Sequence, residues 1–563
     1  MMRVWMRETH GAQFELVRHF LRRLFDSEMI TSPEQTRSAL IGLIALLLPW
    51  FQVLYGPLKL KYAHLAGLPS PAPYRDALRA DELWLITLMM STIGLLTAVK
   101  WQSLFPDLRD YRVLGSLPLR PRQIFAAKLL SLLLVAAAAL AAVDCFPSAA
   151  FPALSDSRWA FSGVGPRMRA YAAASTAAGA FFFFALIALQ GVLLNLLRPR
   201  AFRRVTSCLQ GALVGTMLAL IVLSFSIDPR ITNVVIQPQW STWLPPVWFL
   251  GLCQSSSGDP DPLMRALAHR GSMGLLIAVA LALVAYAICY RRHRTLLLEG
   301  SNAPAKRRRS GVLLGWLLPD ARQQGVISFM LHTLGRSAHH RMILMGYLGL
   351  AFAILLSGLA GMSAFVGPER VTAADFVYFH VVALIFVLIG ARHLFSLPTE
   401  LKANWIFQLT ERDARGDWLY AVDRFVFFWS AALLWVVPLP FELRFLGWRG
   451  LAEAALTILI GLLAYDWFFS SWNKLPFTCS YLPGKTPGWL LALQFFIVMG
   501  LTPLLQALLL AALFRPLVYE VLVVVVVPAW IRIHALRRSG WPELRLKFDD
   551  VPEPPVETLN LRG

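Results

Sequence analysis

The sequence predicts an all-α, polytopic membrane protein with about twelve transmembrane helices, arranged as two six-helix halves with interfacial amphipathic helices. Three observations carry that expectation. Of the 563 residues, 57% are hydrophobic and only 15% charged, with a mean hydropathy of +0.57, more apolar surface than a soluble chain of this length would carry. The apolar residues gather in runs of about 17 to 25, which at ~1.5 Å rise per residue match a hydrocarbon core of ~30 Å. Most of the 53 Lys and Arg fall in alternate connections, the asymmetry expected of cytoplasmic segments.

The elements follow in order. Residues 1–37 form a cytoplasmic interface helix: Phe14, Leu16, Val17, Phe20, Leu21, Leu24 and Phe25 occupy one half of the wheel, and Glu15, Arg18, His19, Arg22, Arg23 and Asp26 the other. No cleavable signal pattern precedes the first span. Residues 38–290 hold the first six spans, near 38–58, 82–99, 124–145, 170–197, 205–227 and 271–290. Residues 291–340 are a basic cytoplasmic linker, with RRHR at 291–294 and KRRRS at 306–310, followed by a second interface helix striped by Val326, Ile327, Met330, Leu331 and Leu334 beside His332 and Arg336. Residues 341–533 hold six more spans, near 341–361, 375–395, 422–440, 451–470, 488–512 and 516–533. Residues 534–563 are a cytoplasmic tail, so both termini are expected inside. The net charge of +20 borders the spans, which points to anionic lipid and topology and excludes nucleic acid as the partner.

The most informative stretch is the loop from Trp101 to Lys128. Its first half, FPDLRDYRVL, predicts a short amphipathic helix with Leu108, Tyr111 and Leu114 on one side and Asp107, Arg109, Asp110 and Arg112 elsewhere. Pro118 and Pro121 turn the chain back, and Arg120, Arg122 and Lys128 flank the next span. A looser counterpart follows span eight: Leu397-Pro398-Thr399-Glu400-Leu401-Lys402-Ala403-Asn404-Trp405-Ile406-Phe407. Trp243-Leu244-Pro245-Pro246-Val247-Trp248-Phe249 precedes span six.

On these residues the chain resembles the membrane subunits of type-2 ABC exporters, as two six-span permease halves fused in one chain. The sharpest motif is the run Leu117-Pro118-Leu119-x-Pro121-Arg122-Gln123-Ile124-Phe125-Ala126-Ala127-Lys128, and the likeness is clearest over residues 11–290. The resemblance implies a permease that couples ATP hydrolysis by a separate cytoplasmic subunit, in about two copies, to substrate movement across a bacterial inner membrane. Coupling would fall to Asp107, Arg109, Asp110, Tyr111 and Arg112 in the first loop and to Glu400, Lys402, Asn404 and Trp405 in the second. It also implies a re-entrant outer segment at Trp243–Phe249. The second half departs from the pattern, having no LP-x-x-R-Q-I-F run after Trp405.

The chain is not expected to carry its own motor. Pro483-Gly484-Lys485-Thr486 ends like a phosphate-binding loop, but the required earlier glycine is Cys479. No catalytic residue, cofactor or metal is expected: His332, His339 and His340 lack carboxylates at ligand spacing, and the five cysteines form no CxxC. Among charges near the spans, Asp144 and Glu520 are the candidates for a translocation pathway or interhelical contacts. Gln190 and Asn195 read as interhelical hydrogen bonders. Two other classes compete. A polyprenyl-dependent membrane glycosyltransferase would use Asp76, Asp81 and Glu82 in the first outer loop, and a major-facilitator carrier would share the six-plus-six count but needs glycines that the Asp107–Asp110 loop lacks.

Overall fold

The computed structural model describes residues 13–22, 56–105, 121–224, 243–298, 320–364, 369–399, 404–410, 415–479, 504–541 and 546–548, apart from positions 57, 198 and 471. The described residues are helical throughout, joined by turns, with one isolated bridge between Lys474 and Lys547. They include six helices long and apolar enough to cross a bilayer, which makes this a multi-pass membrane protein. The chain divides into two compact units, residues 1–303 and 304–563.

The first unit contains α1 (13–22), α2 (58–67), α3 (Ala72–Val99), α4 (Pro121–Leu154), α5 (Val164–Leu196), α6 (Pro199–Ser224), α7 (Pro245–Ser256) and α8 (Pro262–Leu298). Helix α5 is central, packing against α3, α4, α7 and α8. Candidate spans lie on α3, α4, α5 and α8. Helix α7 has 12 residues, about 18 Å, too short to cross, and it packs back along α8. That approach is close: a Cβ on Gly251 would meet the Leu267 Cβ at 2.4 Å and the Met264 carbonyl oxygen at 2.8 Å.

Helix α3 corrects the expected boundary at residue 82. It begins at Ala72, with proline in its first turn, and takes Asp76, Asp81 and Glu82 out of the outer loop and into the helix. The charges are accommodated because each buried carboxylate has a partner from a distant segment. Lys61 Nζ lies 2.8 Å from Asp81 Oδ1, the Tyr62 hydroxyl donates to Asp81 Oδ2 at 2.7 Å, and Gln254 Nε2 donates to Glu82 Oε2 at 2.6 Å. Arg79 reaches Asp259 at 2.8 Å. Burial, and then the Asp81 charge, push the Tyr62 phenol well up from its ordinary value, so it stays a donor.

The second unit contains α9 (Ala321–Arg336), α10 (Ala338–Ala364), α11 (Glu369–Phe395), α12 (Asn404–Thr410), α13 (Arg415–Ala431) continued by a π-turn (Ala432–Val436), α14 (Leu439–Leu446), α15 (Trp448–Phe468), α16 (504–514) and α17 (Pro516–Ser539). Asp320 caps α9 by accepting from Arg322 N, and Val326, Ile327, Met330 and Leu334 are its buried stripe. The chain then bends by 94° into α10. Helices α10 and α11 pair closely, because Gly390 leaves room for Tyr347, whose Cγ would lie 2.5 Å from a Cβ there.

Candidate spans in this unit are α15 and α17, with the bent pair of α9 and α10 passing the same test only when taken together. The runs expected near 205–227 and 375–395 lie on α6 and α11, whose described residues include the apolar helical stretches Cys208–Ile221 and His380–Phe395, and the run near 422–440 lies on α13 with its π-turn. Helix α13 alone has 17 residues, and the π-turn continues it. The runs near 38–58 and 488–512 lie largely outside the described residues.

Candidate functional site

The second predicted loop is built on a backbone clip. Leu397 and Pro398 leave α11, Thr399 N–H donates to the Phe477 carbonyl at 3.1 Å, and Phe477 N–H donates to the Phe395 carbonyl at 3.0 Å. Phe477 adopts φ 68°, a left-handed conformation that a bulky residue holds only when its surroundings over-determine it. They do: its ring is buried against Phe329, Phe395 and His340. The buried Asn404 then donates to the Thr478 carbonyl at 2.7 Å and pins the start of α12. Phe407 packs edge-on against Phe329 and Trp418. The opposite side of α12 is different: Trp405 is 59% exposed, Ile406 49% and Leu409 75%.

Around the first predicted loop, the flanks are described. Trp101 is buried and accepts from Gln190 Nε2 at 2.9 Å through its carbonyl, and Phe105 stacks on Tyr286. Beyond the loop, Ile124 and Ala127 at the start of α4 receive Leu16, Val17 and Phe20 of α1, with Lys128 Nζ 5.0 Å from the Phe20 ring centre. Asp107, Arg109, Asp110, Tyr111 and Arg112, with Glu400 and Lys402, lie outside the described residues.

Asp144 and Glu520 belong to different units. Asp144, buried on α4, accepts from Ser175 at 2.5 Å and Thr176 at 2.8 Å on α5, an interhelical tie. Glu520 is exposed near the start of α17.

The second unit also assembles two buried polar clusters, around Asp466 and Glu453, two charges that the sequence places near span ends without their partners. At the end of α15, Asp466 accepts from Arg537 at 2.7 Å and lies 2.9 Å from His534, while the other Arg537 nitrogen donates to Asp423 at 2.7 Å and Tyr465 donates to the same Asp423 oxygen at 2.6 Å. This network borders a cavity of about 680 Å³ whose remaining wall is mainly apolar and aromatic, with Phe425, Phe427, Phe428 and Trp530 among its residues.

At the other end of α15, His380 Nδ1 lies 3.0 Å from Glu453 Oε1, and Glu442 joins them, so that three potential ligand atoms fall within 4.8 Å of one another. All three side chains are fully buried. Glycines make this approach. Gly447, at φ 57°, turns the chain from α14 into α15, and Gly450 allows contact, since a Cβ there would lie 2.8 Å from the Glu442 carbonyl carbon. Burial, with the adjacent Glu453 charge, pushes the Glu442 carboxyl up to about 8.

No known protein family, no curated protein and no solved structure matches this chain. Its chemistry therefore rests on the geometry above. Two arrangements stand out: a pinned short helix with an uncovered apolar side, and a histidine–dicarboxylate cluster that is sealed from solvent. A sequence signal for the second exists in hindsight, in two acidic residues bracketing Gly447 and Gly450 at the head of an apolar run. His380 carries no such mark, because α11 brings it in from a distant part of the chain.

Proposed function

We propose that this chain is the membrane subunit of an ATP-driven exporter of the type-2 ABC class, with twelve spans in two six-span halves over residues 38–290 and 341–533. It sits in a bacterial inner membrane with both termini in the cytoplasm. ATP hydrolysis belongs to a separate cytoplasmic subunit in about two copies, and the chain itself performs no covalent chemistry. Rocking of its halves, driven through the loops after spans two and eight, moves the substrate.

The observation that carries this reading is α12. Its neighbours in sequence, Glu400, Lys402, Glu411, Arg412 and Asp413, keep it out of the hydrocarbon, yet Trp405, Ile406 and Leu409 are exposed on a helix anchored by Asn404. Exposed apolar residues on a rigidly anchored, charge-flanked helix suit a protein partner better than water or lipid. The engagement of Asp81 and Glu82 with Lys61, Tyr62 and Gln254 weighs against the glycosyltransferase alternative, which needs free carboxylates there.

The test is affinity purification of the detergent-solubilised chain from its native membrane, with mass spectrometry of co-purifying proteins. A soluble ATPase at about two copies per chain, lost from a Trp405→Asp/Leu409→Asp variant that still inserts, is the expected result. Its reproducible absence from the intact wild-type chain would overturn the reading.

A further inference from the structure

We infer that His380, Glu442 and Glu453 form a binding site for a first-row divalent metal cation, Zn²⁺ above all. The inference is independent of the transport reading, because it concerns what three buried side chains of the second unit hold.

The donor set comes first. One imidazole and two carboxylates from α11, α14 and α15 place their ligand atoms within 4.8 Å of one another. Zinc bonds of about 2.0–2.1 Å in a tetrahedral arrangement imply ligand–ligand separations of about 3.3 Å. The His380 Nδ1 to Glu453 Oε1 distance of 3.0 Å is close to that edge, and Glu442 brings its ligand atom within 4.8 Å of both.

Unpartnered polar atoms point the same way. Among the described residues neither carboxylate oxygen of Glu442 has a hydrogen-bond partner, and Glu453 Oε2 has none, although both side chains are fully buried. Buried carboxylate oxygens are almost always satisfied, so three unpartnered ones facing a histidine point to a ligand. Charge identifies its class. A dication suits a neutral imidazole and two carboxylates in a site with no solvent, since it neutralises both carboxylate charges.

The support around the ligands fits a cation as well. The π-turn at Ala432–Val436 packs against α11 and α14, the helices that carry His380 and Glu442. Trp435 Nε1 donates to Thr457 Oγ1 at 3.1 Å one turn beyond Glu453, which fixes α15 against the same π-turn. A π-turn next to a ligand cluster is a recurrent feature of functional sites. Imidazole with two carboxylates suits Zn²⁺ and its first-row neighbours better than the all-oxygen preference of Ca²⁺ or Mg²⁺. Three protein ligands leave a fourth position for water or an exchanging group.

The experiment uses the full chain in detergent, stripped with a chelator, dialysed and titrated with Co²⁺ and then Zn²⁺. The expected result is about one Co²⁺ per chain with the intense visible absorption of a tetrahedral nitrogen–oxygen site, its displacement by Zn²⁺, and a higher melting temperature with Zn²⁺ than without. Glu442→Gln keeps the shape of the side chain and removes its charge, and should weaken Zn²⁺ binding by about tenfold or more while the protein elutes as a single species. Should that variant aggregate, the wild-type titration and melting shift decide alone. Wild-type protein that takes up no stoichiometric Co²⁺ and shows no Zn²⁺-dependent shift would overturn the site, as would a folded Glu442→Gln chain that binds Zn²⁺ like the wild type.

Discussion

Arg537 reaches Asp466 with one guanidinium nitrogen at 2.7 Å, from the last turn of α17 to the last turn of α15, and its other nitrogen holds Asp423 on α13. Three helices therefore meet at one cation. Arg537→Met should cost about 3–5 kcal/mol, because it leaves two carboxylates in a buried site short of their charge partner. Thermal unfolding in detergent checks this. Adding Asp423→Asn and Asp466→Asn to the same chain should recover most of the loss, as residues sharing one network are not additive.

The α10–α11 contact makes a steric prediction. Gly390→Ala must displace Tyr347, whose ring and Cβ atoms lie 2.5–2.8 Å from the new methyl, and should destabilise by about 1–3 kcal/mol. Gly325→Ala in α9 meets nothing within 4 Å and should instead stabilise by about 0.5–1 kcal/mol through helix propensity. Equal effects of the two substitutions on the melting temperature would contradict the packing described.

Asn404→Ala removes the buried bond to the Thr478 carbonyl and should cost about 1–2 kcal/mol. The loss should be local, visible as faster hydrogen exchange and protease cleavage around α12. By contrast, Trp405→Ser and Leu409→Ser should leave the melting temperature nearly unchanged, within about 0.5 kcal/mol, since both side chains are exposed.

Asp144→Ala should weaken the α4–α5 contact by about 1–3 kcal/mol, since Thr176 loses its acceptor and Ser175 keeps only backbone carbonyls. Asp144→Asn, which retains an acceptor oxygen, should cost less. Retention of wild-type stability in the alanine variant, measured by denaturant or heat, would remove the interhelical role.

What the sequence made legible was the part governed by short range. The apolar runs at α4, α5, α8, α15 and α17 stand out because length and composition alone separate a bilayer-crossing helix from a loop. The start of α3 was misplaced by ten residues for the opposite reason. Asp81 and Glu82 look like the end of a span until Lys61, Tyr62 and Gln254 are placed beside them, and periodicity carries no information on such partners. Asn404 and Trp405 were picked out by their position in a charged loop, while their division into one buried anchor and one exposed side depends on Phe477 and Thr478, far along the chain. Glu453 is legible only as a charge near the end of a span, and its grouping with His380 and Glu442 is not, because their meeting requires a turn at Gly447 and the close packing at Gly450.

Helix α15 is fastened at both extremities: Glu453 faces His380 at one, and Asp466 is gripped by Arg537 and His534 at the other. The two carboxylates are thirteen residues apart, a lever arm of about 20 Å. Sliding this rod lengthwise by a single turn, about 5.4 Å, would tear both attachments at once. Lengthwise sliding of α15 is therefore opposed at both extremities, by α11 at one and by α17 at the other.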